Sequence, residues 1–85
     1  MARDDVCLKK SDVNKLTEKL SESIHDEWTS WSKNIASKEN LSKERLKRWK
    51  KMWVPYAKLP EDVKEQDRVW ARKALKSLNI RKCKV

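Results

Sequence analysis

The chain has 85 residues and a net charge of +9, it contains no glycine, and 41% of its residues are charged. A chain of this length forms one small domain with a thin hydrophobic core, and it has no run of about 18 apolar residues that would span a membrane. The absence of glycine excludes most tight β-hairpins, whose turns require positive φ angles. This composition predicts an all-α fold, which we expect to be a small domain of three helices.

The two ends of the chain carry few structural signals. Residues 1–10 lack the apolar segment of a signal peptide. We expect them to form a flexible leader before a single helical domain over residues 11–79, with a fraying basic tail over residues 80–85. Cys7 and Cys83 show neither a CxxC motif nor zinc-ligand spacing. We therefore expect reduced thiols in a cytoplasmic protein, since a disulfide would require the two ends of the chain to meet.

The first helix is predicted over residues 12–36. Ser11 precedes it as a candidate N-cap, and apolar residues then recur at intervals of three or four, which is typical of one buried helical face. This apolar stripe consists of Val13, Leu16, Leu20, Ile24, Trp28, Trp31 and Ile35. We assign three of its residues to the hydrophobic core, namely Ile24, Trp28 and Trp31.

A short basic helix is predicted next, over residues 43–52. Ser42 is its candidate N-cap, and Pro55 ends it because the residue before a proline is pushed out of the α conformation. Residues 33–52 carry a net charge of +6, and a surface of this kind attracts anionic partners. The basic patch of this helix consists of Arg45, Lys47, Arg48, Lys50 and Lys51.

A third helix is predicted over residues 60–78. Pro60 suits its first position, and two acidic residues follow at the positive end of the helix dipole. Asn79 is the candidate residue for ending this helix in place of glycine. A second basic block, with a net charge of +7, covers residues 68–85. The residues of this helix that we assign to the core are Val63, Trp70 and Leu75.

Four motifs follow one another along the chain: Ile24-His25-Asp26-x-Trp28, Lys33, Val54-Pro55-Tyr56-x-x-Leu59 and Lys64-x-x-Asp67. In this order they resemble the ryanodine receptor (RyR) repeat domain family. In that family an I-H-E-x-W segment on a first helix is followed by a V-P-Y-x-x-L turn and a helix with K-x-x-D. The resemblance covers residues 20–78. The family usually has a W-x-Y-G segment between the two halves, whereas this chain has SKENLSKERLKRWKK, so we expect a helix in place of the family's β-hairpin.

The resemblance implies a non-enzymatic module for interaction or ligand binding. Stand-alone versions of the domain are found in bacteria, archaea and phages, and this short basic chain is similar to them. Prokaryotic members are suspected of sensing small nucleotide-like ligands in conflict systems. The resemblance therefore implies a phage-type protein whose partner is a host protein or an anionic nucleotide-like ligand.

Four residues are candidates for binding a ligand or partner: His25, Trp53, Tyr56 and Asp67. His25 borders the apolar stripe of the first helix. Asp67 lies on the apolar face of the third helix, where a buried carboxylate needs a partner, which His25, Lys33 or Tyr56 could supply. The two residues either form a structural contact that fixes the register of the helices or line a ligand pocket.

The residues offer little for catalysis. The chain has one histidine, no Ser/His/Asp arrangement and no metal-ligand cluster, so we expect no enzyme activity, no metal and no cofactor. The basic patch supports an alternative function, which is binding of nucleic acid without sequence specificity, because no Asn or Gln lies among its cations to read bases. The oligomeric state is open, since a second copy would complete the tryptophan-rich stripe.

Overall fold

The computed structural model describes residues 6–83, and the predicted all-α domain of three helices is confirmed. A short strand precedes the helices and a second strand follows them. A 3-10 helix of three residues, Tyr56–Lys58, lies between the second and third α-helices. In chain order the other elements are β1 (Val6–Leu8), α1 (Lys10–Lys38), α2 (Lys43–Met52), α3 (Glu61–Ser77) and β2 (Ile80–Lys82).

The starts and ends of the helices follow local signals in most places. The side chain of Ser42 accepts a hydrogen bond from the backbone N–H of Arg45 at 3.1 Å, which caps α2 as predicted. Asn79 follows α3 with a φ angle of 59°, the left-handed conformation that ends a helix where glycine is absent. The prediction of Ser11 as the N-cap of α1 is wrong, because α1 begins at Lys10 and Ser11 lies inside it.

The two long helices run antiparallel and form most of the domain. β1 precedes α1 and pairs with β2, which follows α3, so the start of α1 lies beside the end of α3. Small side chains lie at the contact between the helices, where Ser21 and Ala71 have no exposed surface. The buried apolar residues of the described chain are Val13, Tyr56, Leu59, Ala71 and Leu75.

The assignment of Trp31 and Trp70 to the core is wrong. Their side chains are 54% and 60% exposed. The residues at the contact between α1 and α3 are small, so the helix backbones approach closely and the bulky rings are left at the edges of the contact. Of the other assigned residues, Leu75 is buried, whereas the remaining three are half-buried, namely Ile24, Trp28 and Val63.

The ends of the described chain are ordered by pairing with each other. β1 and β2 form a parallel pair in which Val6 lies opposite Ile80. A disulfide joins Cys7 to Cys83, whose Cα atoms are 5.3 Å apart. Residues 6–8 and 80–82 are therefore strands rather than a flexible leader and a fraying tail, and the expectation of reduced thiols is wrong.

The residues at the outer ends of the predicted leader and tail, 1–5 and 84–85, lie outside the described residues. The disulfide closes a loop with a sequence separation of 76. In the chain-entropy model, a cross-link of this span stabilises the folded state by about 4–5 kcal/mol. Within residues 6–83, no helix is both long and apolar enough to cross a membrane.

The burial of these residues predicts opposite outcomes for two substitutions in α3. Leu75→Ala removes a side chain that is 4% exposed, so we expect it to lower the free energy of unfolding by about 2–5 kcal/mol. Trp70→Ala removes a side chain that is 60% exposed, so we expect a loss below about 1 kcal/mol. Urea unfolding of both variants at micromolar protein concentration measures the difference. A larger loss for Trp70→Ala than for Leu75→Ala would contradict the packing described above.

Candidate functional site

The imidazole ring of His25 joins three segments of the chain. The ring is buried, with 3% of the residue exposed, and its Nε2 atom lies 2.7 Å from the carbonyl oxygen of Val54. A carbonyl oxygen only accepts hydrogen bonds, so Nε2 carries the hydrogen and donates it. The other ring nitrogen, Nδ1, lies 3.8 Å from Oδ2 of Asp67 on α3. His25 thus connects α1 to the Val54-Pro55-Tyr56 segment and faces α3.

Asp67 is a carboxylate in a poorly hydrated position. Its side chain is 18% exposed, and its Oδ2 atom is buried without a hydrogen-bond partner within the described chain. Burial raises the pKa of Asp67 above its ordinary value, and the nearby His25 opposes this rise in part. The predicted contact between His25 and Asp67 therefore exists as a facing pair of polar groups without a direct hydrogen bond.

Tyr56 belongs to a second polar network, which lies beside the His25 contact. Its hydroxyl group donates a hydrogen bond of 3.1 Å to Oε1 of Glu18. Arg68 binds the same carboxylate with two nitrogens, Nε at 2.7 Å and Nη2 at 3.0 Å. The hydrogen bonds from Arg68 lower the pKa of Glu18. This network ties the 3-10 helix and α3 to the first half of α1.

The same network continues along α3. Nη1 of Arg68 lies 3.0 Å from Oε2 of Glu61, and Arg72 donates two hydrogen bonds to Glu65, at 2.6 Å and 3.3 Å. The Nζ atom of Lys64 lies 5.6 Å from the centre of the Tyr56 ring. Carboxylates therefore fix the positions of both arginines.

Trp53 takes no part in these two networks. Its indole Nε1–H donates a hydrogen bond of 2.9 Å to the hydroxyl oxygen of Ser32 on α1. Its ring lies 5.7 Å from the Nζ atom of Lys33. The structure therefore brings two of the four candidates, His25 and Asp67, face to face, places Tyr56 in the neighbouring network and leaves Trp53 at the α1–α2 contact.

A cavity of about 670 Å³ lies between α1, α3 and β2. None of His25, Trp53, Tyr56 and Asp67 lines it, so the predicted site residues and the cavity are separate. We call this space the α1–α3–β2 cavity. Its lining consists of Val13, Asn14, Thr17, Glu18, Glu65, Arg68, Arg72, Leu75, Lys76, Asn79, Ile80, Arg81 and Lys82.

One signal for this cavity was present in the sequence. Arg68, Arg72 and Lys76 are spaced four residues apart, which places them in one line along α3. The remaining two cations, Arg81 and Lys82, come from β2. Since β2 reaches the cavity through its pairing with β1, helical periodicity does not indicate that these two residues lie there.

The basic patch of α2 lies away from the α1–α3–β2 cavity. Trp49 of α2 packs against Trp28 and Trp31, with ring centres 5.9 Å and 6.0 Å apart, whereas the cavity is lined by Val13 to Glu18 of α1. At about 1.5 Å per residue, the two regions are roughly 15–27 Å apart along α1. The two basic blocks therefore lie at different positions along α1. All five patch residues are exposed, namely Arg45, Lys47, Arg48, Lys50 and Lys51.

The family assignment rests on a match over almost the whole chain. The family model described as the RyR domain matches residues 4–85. The chain belongs to the RyR domain family. No curated protein and no solved structure is significantly similar to it.

The motifs that carry the resemblance meet around His25 in this RyR domain. The first motif supplies His25 and Trp28, whose rings stack with centres 6.0 Å apart. The V-P-Y segment supplies the carbonyl of Val54, and the K-x-x-D motif supplies Lys64 and Asp67. These motifs therefore build a packing centre. The segment that replaces W-x-Y-G contains α2, as expected.

The low pKa of Glu18 predicts a pH-dependent loss of stability in Glu18→Gln. A carboxyl group whose folded-state pKa lies below its ordinary value of 4.5 stabilises the fold above that value, and the contribution disappears as the pH falls through the folded-state pKa. The side chain is 45% exposed, so we expect a discounted loss of about 1 kcal/mol at pH 7. Urea unfolding from pH 7 to pH 3 should show this loss shrinking below pH 4.5. Glu22→Gln, an exposed substitution on the same helix, should change little at any pH.

The raised pKa of Asp67 predicts the opposite sign for Asp67→Asn. A carboxyl group whose folded-state pKa lies above its ordinary value of 3.8 destabilises the fold when it ionises. The free-energy penalty of this ionisation is absent below pH 3.8 and complete above the folded-state pKa. Asp67→Asn should therefore raise the melting temperature at pH 7. This gain in melting temperature should vanish in acid. Asp26→Asn on the exposed side of α1 is the control. A lower melting temperature for Asp67→Asn at pH 7 would mean that attraction to His25 outweighs burial.

Proposed function

We propose that this RyR domain is a non-enzymatic binding module that holds an anionic, nucleotide-sized ligand in the α1–α3–β2 cavity. The observation that carries the proposal is the charge of the lining, which includes five cationic and two anionic side chains. The lining thus has a net charge of +3. A concave surface with charges mainly of one sign raises the local concentration of ions of the opposite sign.

The size of the cavity supports a small-molecule ligand. Pockets for small molecules typically enclose about 300–1,000 Å³, and this cavity encloses about 670 Å³. Its apolar lining residues are Val13, Leu75 and Ile80, and Asn14 and Thr17 add polar side chains beside them. An apolar wall suits the face of a base or sugar ring, and the cations suit phosphate groups.

The cations of the cavity differ in how they are held. Glu18 fixes Arg68 and Glu65 fixes Arg72, so little conformational freedom of these arginines is lost when a ligand binds. Lys76 and Lys82 are exposed at the rim, and within residues 6–83 no carboxylate lies within ion-pair distance of either. The arginines are thus suited to orienting an anion, and the lysines are suited to neutralising it.

The proposal of a non-enzymatic role is supported by the surroundings of the single histidine. His25 is 3% exposed, and its Nε2 atom is bonded to a backbone carbonyl, which leaves it poorly placed for proton transfer to a ligand. Within residues 6–83, no group of three or more His, Cys, Asp or Glu side chains is arranged to hold a metal ion. Binding is therefore the role that these residues support.

The cavity does not bear on the other predicted partners or on the cellular location. A host-protein partner and a phage origin stay predictions, as does the cytoplasmic location, which the Cys7–Cys83 disulfide does not settle. The alternative of nucleic-acid binding rests on the α2 patch. None of the patch cations has a carboxylate within ion-pair distance in the described chain, and the exposed Trp31 lies beside α2.

Calorimetric titration of the oxidised protein with ADP, and separately with inorganic pyrophosphate, tests the proposal. We expect Lys76→Gln/Lys82→Gln to weaken binding of both probes by about tenfold or more, equivalent to about 1.4 kcal/mol. The matched control is Lys47→Gln/Lys51→Gln, which removes the same charge from α2. We expect this control to retain the affinity of the unmodified protein.

Two outcomes would overturn the proposal. The first is that neither ADP nor pyrophosphate binds the protein. The second is that both double variants lose affinity to the same extent. A parallel titration with single-stranded DNA at low salt tests the alternative of nucleic-acid binding, since contacts between cationic side chains and phosphates are strongest at low salt. DNA binding that is lost only in the α2 variant would assign the function to the α2 patch.

A further inference from the structure

The α1–α3 pair has an apolar side that the described chain leaves partly exposed. On α3, Trp70 and Leu78 are 60% and 62% exposed. On α1, Leu16, Leu20 and Ile24 are only half-buried. We call this surface the Trp70 face. Exposed apolar side chains that lie together on one surface mark an interaction site more often than scattered ones do.

The contacts of the two helices show that both stripes lie on the same side of the pair. On α1, the line of buried residues through Thr17 and Ser21 has Glu18 on one flank and Leu20 on the other, as helical spacing requires. On α3, the line through Ala71 and Leu75 has Arg68 on one flank and Trp70 on the other. Glu18 and Arg68 are bonded to each other.

The bond between Glu18 and Arg68 places these two flanks on one side of the helix pair. The other flank of each helix therefore lies on the opposite side of the pair. Leu20 and Trp70 therefore belong to one surface. The α1–α3–β2 cavity is lined by Glu18 and Arg68, so the Trp70 face lies on the opposite side from the cavity and leaves it accessible.

The Trp70 face contains both a projecting group and a floor for it. The Trp70 ring projects from α3, with the Nζ atom of Lys73 4.4 Å from its centre. Leu16, Leu20 and Ile24 form a shallow apolar floor on α1. Two copies related by a two-fold axis can each place a ring on the floor of the other, which is the condition for an isologous interface.

The charges around this face permit two copies to approach. The exposed residues that border its two stripes by helical spacing carry a net charge of +1, although the whole chain carries +9. Like-charge repulsion is therefore smaller here than at the α2 patch or at the cavity. The bordering residues are Lys19, Ser23 and Glu27 on α1 and Gln66, Lys73 and Ser77 on α3.

The chain exposes more surface than a compact monomer of the same mass. The chain exposes 6903 Å², whereas a compact monomer of 10.2 kDa exposes about 5,300 Å². Part of this surplus comes from the elongated outline of 52 × 27 × 14 Å. A standard interface removes about 800 Å² from each partner, which is about half of the surplus.

From these observations we propose that the Trp70 face binds a second copy of this chain and forms a two-fold symmetric homodimer. The two copies pack the α1–α3 pairs face to face. Each copy then keeps its cavity on the outer side of the dimer. This inference is independent of the identity of the ligand in the cavity.

Sedimentation equilibrium of the oxidised protein over concentrations up to about 1 mM tests the dimer. We expect the unmodified chain to reach the mass of a dimer without larger species. Trp70→Glu and Leu78→Glu should each weaken association by about tenfold or more. Both residues are largely exposed, so the variants should keep the helical circular dichroism signal of the unmodified protein, which is measured in parallel.

The matched control is Val69→Glu, which replaces an apolar residue of α3 that is 42% exposed and lies outside both stripes by helical spacing. We expect it to associate as the unmodified chain does. The proposal is overturned if the unmodified chain stays monomeric up to about 1 mM, as it would if a different protein covers this face. It is also overturned if Val69→Glu alone abolishes association, or if Trp70→Glu and Leu78→Glu both leave it unchanged.

Discussion

The buried ring of His25 is the contact on which the arrangement of the three helices depends. The chain leaves α2 just before Pro55, and the half-buried carbonyl of Val54 would have no hydrogen bond without a nearby donor. The Nε2–H group of His25 supplies that donor at 2.7 Å. The same ring faces Asp67, so a shift of α3 by one turn would leave its carboxylate without this polar neighbour. One ring thus sets the positions of the turn and of α3 relative to α1.

The contact also makes the two sides of the α1–α3 pair different. On one side, the Val54-Pro55-Tyr56 segment and the 3-10 helix pack against α1, and the Glu18–Arg68 network follows toward the cavity. On the other side no such segment packs in the described chain, and apolar side chains stay exposed there. The ligand proposed for the polar cavity and the partner copy proposed for the Trp70 face would therefore not compete for the same residues.

The cavity depends on the ends of the chain as much as on the helices. β2 supplies three of its lining residues, Ile80, Arg81 and Lys82. A strand of three residues has little stability alone. β2 is held in place by pairing with β1 and by the disulfide between Cys7 and Cys83. The tertiary contact between the two ends therefore supplies one wall of the cavity, and no local property of residues 80–82 would place it there.

Local signals were sufficient to predict the three helices and most of their ends, although α1 begins at Lys10 and not after Ser11. Ser42 caps α2, the two prolines separate α2 from α3, and Asn79 takes the left-handed conformation. The spaced motifs were also sufficient to identify the family. They left three possible partners for Asp67, and the structure places His25 opposite it.

The burial of the tryptophans, the contact between the cysteines and the location of the cavity depend on long-range packing. Helical periodicity defines an apolar side about 100° wide. Which residues of that side touch the neighbouring helix depends on the residues that the neighbouring helix presents. In this fold the small residues Ser21 and Ala71 occupy the contact. Trp70 was therefore displaced to the surface. The strand pair joins residues about 75 positions apart, and no local pattern in the sequence encodes a contact of that range.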